Sequence, residues 1–425
     1  MSKIQKVWAR QILDSRGIPT VEAAVQLDTN EIAVASVPGG TSTGTYEALE
    51  LRDNDPDKYF GKGVSRAVKN VNDILGPGVW GFDATDQEKI DKRLIELDGT
   101  RNKSKLGANA ILAVSTVVCK VAALANKQPL YSWINTLSKR VGIKESVKIP
   151  TPIFNMINGG LHGAGNLDFQ EFHVIPATSK PFSEALRSCV EIYMALGKDL
   201  ERRGAIHSVG HEGGYAPNLF TNADALEVIY ESVKETPYQI GRDVFFGLDV
   251  AADTFYKNGE YVIRDKSAPL NDDALMEYYK LLNNQYHLAL LEDMFNEDAW
   301  DSWKKLYENF QGQLTIVGDD LLATNLERVV KAIEERACNA ILVKPNQVGT
   351  ISETLKVIKV ARDAAWKIIT SHRSGETNDW FIADFAVGTG SDYCKFGAPA
   401  RGERVVKYNR LLSIEAELLQ AAKVK

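Results

Sequence analysis

Several charged side chains in the second half of the chain stand at the ends of short apolar runs. Asp249 ends the run 245–250, Glu292 follows 288–291, Asp319 follows 314–317, and Lys344 follows 340–343. The run 368–370 leads into His372-Arg373-Ser374, and Lys395 closes a last run around Tyr393 and Cys394. Three carboxylates gathered in one concave site repel one another unless a cation joins them. An all-oxygen ligand set points to Mg²⁺, because zinc normally brings His or Cys. A buried lysine is costly unless it faces anions or does proton chemistry. Beside Mg²⁺ and a second lysine, Lys344 is expected to have a lowered pKa, in the range of a working base. Taken singly, each acid reads better as a helix N-cap or a surface charge, and a structural ion-pair network is the lesser alternative for the lysines. Their shared position at the ends of apolar runs argues for one site.

The segment Val209-Gly-His-Glu-Gly-Gly-Tyr-Ala-Pro-Asn218 sets Glu212 in a Gly-rich, Pro-terminated loop that cannot be regular helix, which makes this acid a candidate proton donor. Asn158-Gly-Gly-Leu-His162 and Val37-Pro-Gly-Gly-Thr-Ser-Thr-Gly44 are also flexible loops, and the second has the composition of a lid.

Elements must bring these groups together. The run ends at 292, 319, 344, 372 and 395 lie 27, 25, 28 and 23 residues apart, each the length of a strand, a helix and their loops. In a β/α barrel the functional groups sit where strands end and helices begin. An open doubly wound sheet is the alternative, but no Gly-x-Gly-x-x-Gly opens any of these helices. Upstream, alternating segments at 20–27 and 31–37, joined by Asp28-Thr29-Asn30, indicate a β-meander. Helical spacing follows at 64–75 and again at 86–97 behind Asp86. The expected organisation is a smaller α+β capping domain over 1–142 and a β/α barrel catalytic domain over 143–425.

The chain has 425 residues with 50 basic and 56 acidic side chains, so no electrostatic footprint for nucleic acid or anionic membrane is present. The four cysteines, Cys119, Cys189, Cys338 and Cys394, lack C-x-x-C spacing and read as buried thiols of a reducing compartment. With no apolar signal region near the start, a cytoplasmic protein is expected. The apolar stretch 106–125 contains Asn109, Ser115 and Lys120 and is expected to be a buried helix rather than a membrane span.

Read together, these segments resemble the enolase (phosphopyruvate hydratase) family nearly end to end. The resemblance runs from Leu13-Asp-Ser-Arg-Gly17 to Lys407-Tyr-Asn-Arg-Leu-Leu-Ser-Ile-Glu415. It includes Asp98-Gly-Thr100, Leu106-Gly-Ala-Asn-Ala-Ile-Leu112, Gly318-Asp-Asp-Leu321, Lys344 with Asn346-Gln347, and Ser371-His-Arg-Ser-Gly-Glu-Thr377. The resemblance implies a ββαα(βα)₆ barrel, a homodimer or larger assembly, and two Mg²⁺ per active site. Asp249, Glu292 and Asp319 would hold the first ion and Ser42 on the lid would help bind the second. It further implies dehydration of 2-phosphoglycerate to phosphoenolpyruvate, with Lys344 as base and Lys395 holding the developing charge. Glu212 would protonate the departing hydroxyl, aided by Glu171 and His162. Arg373 and Ser374 would bind the phosphate, with Gln170 and His372 lining the pocket.

Some positions depart from the family pattern, among them His211, Leu161, Gly39 and Pro345. His211 is expected to lower the pKa of Glu212, and Gly39 to loosen the lid. Pro345 is tolerable at a strand end and damaging inside a ladder. Two rival functions are weighed. An acid-sugar dehydratase or racemase tends to carry Lys-x-Lys on an early barrel strand, where this chain reads Phe169-Gln-Glu-Phe-His-Val174. An enolase-like binding protein with lost turnover would have little reason to keep every metal ligand and both lysines.

Overall fold

The computed structural model describes residues 2–40, 44–163 and 165–424. Three antiparallel strands open the chain: β1 (Ile4–Leu13), β2 (Pro19–Leu27) and β3 (Ile32–Ser36), paired in sequence order. The alternating residues expected from the sequence are on β2 and β3, and β1 is longer than either. Helices α1 (Ser65–Asn70), α2 (Gly76–Val79), α3 (Gln87–Asp98), α4 (Ala108–Ala125) and α5 (Leu130–Arg140) follow. Asp86 caps α3 by accepting from the Lys89 amide. α4 is long and apolar enough to cross a membrane, yet 83% of it is buried inside the protein, packed on β2 and β3. Gly107 opens it at φ 97°, where a Cβ would come within 2.5 Å of Leu51.

The remaining strands form a closed eight-stranded barrel: β4 (Thr151–Asn158), β5 (Glu171–Pro176), β6 (Val244–Asp249), β9 (Leu288–Glu292), β10 (Thr315–Gly318), β11 (Ala340–Val343), β12 (Lys367–Ser371) and β13 (Tyr393–Lys395). A two-stranded ribbon, β7 (Tyr256–Lys257) with β8 (Glu260–Tyr261), interrupts the β6–β9 connection. Helices α6 (Phe182–Arg202) and α7 (Asn222–Lys234) precede β6. α8 (Asp272–Tyr286), α9 (Trp300–Phe310), α10 (Leu326–Glu335), α11 (Pro345–Val348), α12 (Ile351–Asp363), α13 (Phe381–Gly388) and α14 (Gly402–Val424) alternate with the later strands. The order is ββαα(βα)₆. β5 alone runs against its neighbours, antiparallel to both β4 and β6.

That reversal positions the site. Parallel strands deliver their last residues to the C-terminal mouth, whereas β5 delivers its first, so Glu171 pairs in register with Asp249 and Asn158. The lumen below is filled by Ile153, Ile175, Leu290, Val317, Leu342 and Ile369, so the barrel has a packed floor. The capping domain is fastened over the mouth by buried polar contacts. The Ser352 amide at the start of α12 donates to Asp91 at 2.8 Å, and the Ile351 amide donates to Ser115 at 3.0 Å. Gly39 and Gly375 exchange backbone hydrogen bonds of 2.8 and 2.9 Å.

Candidate active site

At the mouth a cavity is lined by Gln170, Glu171, Glu212, Asp249, Asp319, Lys344, His372, Arg373, Ser374 and Lys395, together with His162. Glu292 lies just beneath, in contact with Lys395. Ser42 falls outside the described residues.

Lys395, at the end of β13, is the centre of charge. Its ammonium donates to Glu292 at 2.9 and 3.0 Å, to Asp249 at 3.0 Å and to Glu171 at 3.2 Å. Burial works against that ammonium, but the carboxylates around it outweigh burial and hold its pKa well above the ordinary lysine value. The acids carry the opposite strain. Burial, then the Asp249 charge, push Glu292 well up, and burial raises Asp249 against the pull of Lys395. Asp249 Oδ1 is buried without a hydrogen-bond partner. Glu292, Asp293 and Asp319 offer carboxylate oxygens that all lie within 4.8 Å of one another. An orphaned buried oxygen beside an acid-only, oxygen-only donor set fits a hard divalent cation.

Asp293 had no place in the sequence reading and proves central. It follows β9 at φ 47°, and its carboxylate accepts the Asp319 amide at 2.9 Å and the Asp320 amide at 2.7 Å. It therefore holds the turn that presents Asp319. Adjacent acids in Glu292-Asp293 and Asp319-Asp320 were the signal available in the sequence.

Lys344 directly follows β11 and forms a hydrogen-bonded ion pair with Asp319. The lowered pKa is expected beside a bound Mg²⁺; the protein's own groups act in the other direction. Burial lowers it, but the Asp319 carboxylate more than offsets burial and leaves the group above the ordinary lysine value. Pro345 is the first residue of α11, where a missing N–H costs no ladder hydrogen bond. Asp319 also accepts from Gln347 at 3.2 Å, and Gln170 donates to Asp249 at 3.2 Å.

Across the cavity, His162 Nδ1 lies 3.5 Å from Glu212 and 3.8 Å from Glu171, while His173 stands 3.0 Å from Glu171. The Glu212 loop is laid onto β4 by the Tyr215 amide bonding to Met156 and the Asn158 amide bonding to Tyr215. Glu212 accepts from Asn155 at 3.3 Å and lies 3.4 Å from His372 Nε2. Burial raises its pKa, but His162 and His372 outweigh burial and hold it well below the usual carboxylate range. His211 does not take the part expected of it. It is exposed, and the histidines governing Glu212 are 162 and 372. Partial burial, then His162 and nearby arginines, lower the His211 pKa against the pull of Glu212.

Arg373 and Ser374, just beyond β12, form the cationic rim. Arg373 binds Glu47 of the capping domain and Asn346, and Arg16 donates to Ser374 at 3.2 Å. Gly39 is buried and pinned to Gly375, and a Cβ there would meet its nearest neighbours at 3.4 Å, so a serine would fit. Glu47 gave no sequence signal, because nothing local ties a loop acid to an arginine 326 residues away.

A closed barrel whose mouth gathers carboxylates, the buried Lys395 and the half-buried Lys344, capped by an α+β domain, has the form of a β/α-barrel enzyme. Family models make the assignment particular: "Enolase, C-terminal TIM barrel domain" matches residues 146–425 and "Enolase, N-terminal domain" matches residues 4–134. The chain belongs to the enolase family and is accordingly a lyase-type enzyme.

Proposed function

We propose that this chain catalyses the reversible dehydration of 2-phosphoglycerate to phosphoenolpyruvate, as in glycolysis and gluconeogenesis, as a cytoplasmic homodimer or larger assembly. The observation that carries this reading is that Lys344 and Glu212 line one cavity together with Arg373, Ser374 and Lys395. Asp249, Glu292 and Asp319 would hold Mg²⁺, with a second ion toward the lid and Ser42. When bound, Mg²⁺ supplies positive charge to the substrate carboxylate and draws on Asp319, the anion that otherwise keeps Lys344 protonated.

Lys344 Nζ accepts the proton from C2, and the electron pair of that bond moves toward the carboxylate. Lys395 faces the oxygens on which the charge gathers. The pair returns to form the C2–C3 double bond as the C3–oxygen bond breaks, and Glu212 protonates the departing hydroxyl to give water. Glu212 is ionised in the resting site, and the negative charges of an arriving phosphorylated acid raise its proton affinity. Arg373 and Ser374 hold the phosphate, Glu171 and His162 support Glu212, and Gln170 and His372 line the pocket.

The test is absorbance of phosphoenolpyruvate after 2-phosphoglycerate is added to purified protein, with Mg²⁺, with EDTA, and with Lys344→Ala. Metal-dependent product that disappears in the lysine variant is expected. Absence of product from folded, Mg²⁺-loaded protein overturns the reading in favour of an enolase-like binding protein.

A further inference from the structure

Arg404, near the start of α14, is fully buried, with none of its side chain exposed, and is not among the groups assigned above. Each of its terminal nitrogens makes two contacts. Nη1 meets His372 Nδ1 at 2.7 Å and the Arg373 carbonyl at 2.7 Å. Nη2 meets the Ser374 carbonyl at 2.6 Å and the His211 carbonyl at 3.1 Å. Glu403 lies 3.4 Å from Nε and balances the charge.

A guanidinium has donors and no acceptor. His372 Nδ1 must therefore present its lone pair to Arg404, and the proton of the neutral ring resides on Nε2, the atom 3.4 Å from Glu212. Gly397 runs beside the ring, and a Cβ at 397 would lie 3.0 Å from His372 Cε1, so only a residue without a side chain leaves the ring its place. Burial and the Arg404 charge both disfavour a second proton on this ring, against the pull of Glu212.

We propose that Arg404 is a positioning residue: it fixes His372 as the Nε2–H tautomer facing Glu212 and clamps residues 372–374 to the loop that carries Glu212. The inference rests on the reading that these segments bind substrate and donate a proton. Four donors in one plane join the segment after β12 to the loop between α6 and α7. A lysine offers three donors from a single atom and cannot span the same acceptors.

Protein labelled with ¹⁵N-histidine and examined by two-bond ¹H–¹⁵N correlation at neutral pH gives a direct answer. The chain has six histidines, and His372 is assigned by the signal lost in His372→Asn. The expected result is a bare Nδ1 and a protonated Nε2 in the unsubstituted protein, with that signature lost in Arg404→Met. In Arg404→Lys, kcat should fall by about 10- to 100-fold, more than KM rises, because a misplaced group costs most in the transition state. A His372 ring that carries its proton on Nδ1, or is doubly protonated, overturns the proposal, as does an unchanged signature in Arg404→Met. If Arg404→Met fails to fold, the spectrum of the unsubstituted protein still decides. The tautomer is read without turnover, so a protein that shows Nε2–H but makes no phosphoenolpyruvate overturns the proposed function and not the positioning role.

Discussion

Arg373 grips Glu47 through two hydrogen bonds, 2.9 Å from Nη1 and 3.2 Å from Nη2, and both side chains are 5% exposed. The pair joins the capping domain to the barrel across the edge of the cavity. A carboxylate held by two nitrogens of one guanidinium occupies the geometry that a phosphate would claim.

Glu47→Gln should therefore destabilise the ligand-free protein by about 3 kcal/mol, the scale for removing one partner of a buried ion pair. Phosphate-bearing ligands should restore more stability to the variant than to the parent. Thermal melts with and without 2-phosphoglycerate measure both effects. Equal ligand-induced shifts in the two proteins would count against competition for Arg373.

Asp293 should matter to the metal although its own oxygens are engaged by the Asp319 and Asp320 amides. Asp293→Asn replaces one of those acceptors with a donor and loosens the turn. Mg²⁺ affinity is expected to fall about 10- to 100-fold, as for other supports of metal ligands. Isothermal titration with Mg²⁺ reads this directly, and unchanged affinity would remove Asp293 from the account.

Asp91 makes a pH prediction away from the site. Burial pushes its carboxyl up to about 6, with hydrogen bonds from Ser352, Ser115 and Gln87 opposing. Its folded pKa is raised above the unfolded value, so its contribution to stability is fully present below about pH 4 and is lost as pH rises through 6. Relative to Asp91→Asn, the parent should gain about 2 to 3 kcal/mol between pH 7 and pH 4. Urea melts of both proteins at the two pH values supply the comparison, and parallel curves would refute it.

From sequence, His211 is expected to lower the Glu212 pKa, so that His211→Asp would shift the pH–rate profile. With the ring exposed and Glu212 governed by His162 and His372, the shift should be less than about half a pH unit. By contrast His162→Asn should displace the limb that reports Glu212 upward, since it removes the first of the two histidines holding it ionised. Initial rates across pH 5 to 9 separate the cases.

The barrel was legible because parallel strands end in the same place, so a charge at the end of each apolar run marks one rim. Asp249, Glu292, Asp319, Lys344 and Lys395 follow that rule, and the structure gathers them. Glu171 breaks it by standing at the start of a strand, and its presence at the mouth follows from the reversal of β5. Only the family resemblance had pointed to it. Arg404 was invisible, and Asp293 showed only as one of two adjacent acids, because both act through other residues, and sequence spacing carries no record of which backbone amide or ring nitrogen a side chain meets. Spacing likewise placed Lys344 near a metal site without showing that Asp319 would be its ion-pair partner.

The position of Lys395 on the last barrel strand also bears on how the protein is made. Glu171, Asp249 and Glu292 precede it by 224, 146 and 103 residues. During synthesis these acids leave the ribosome well before their cation exists. β13 is also the strand that pairs with β4 to complete the ring. The nascent chain thus carries an open sheet edge and an uncompensated cluster of negative charge until nearly its whole length has emerged. Closure and neutralisation then occur as one late, long-range event. A transcript truncated before codon 395 would yield a product with an exposed edge strand, suited to chaperone capture and degradation rather than to residual activity.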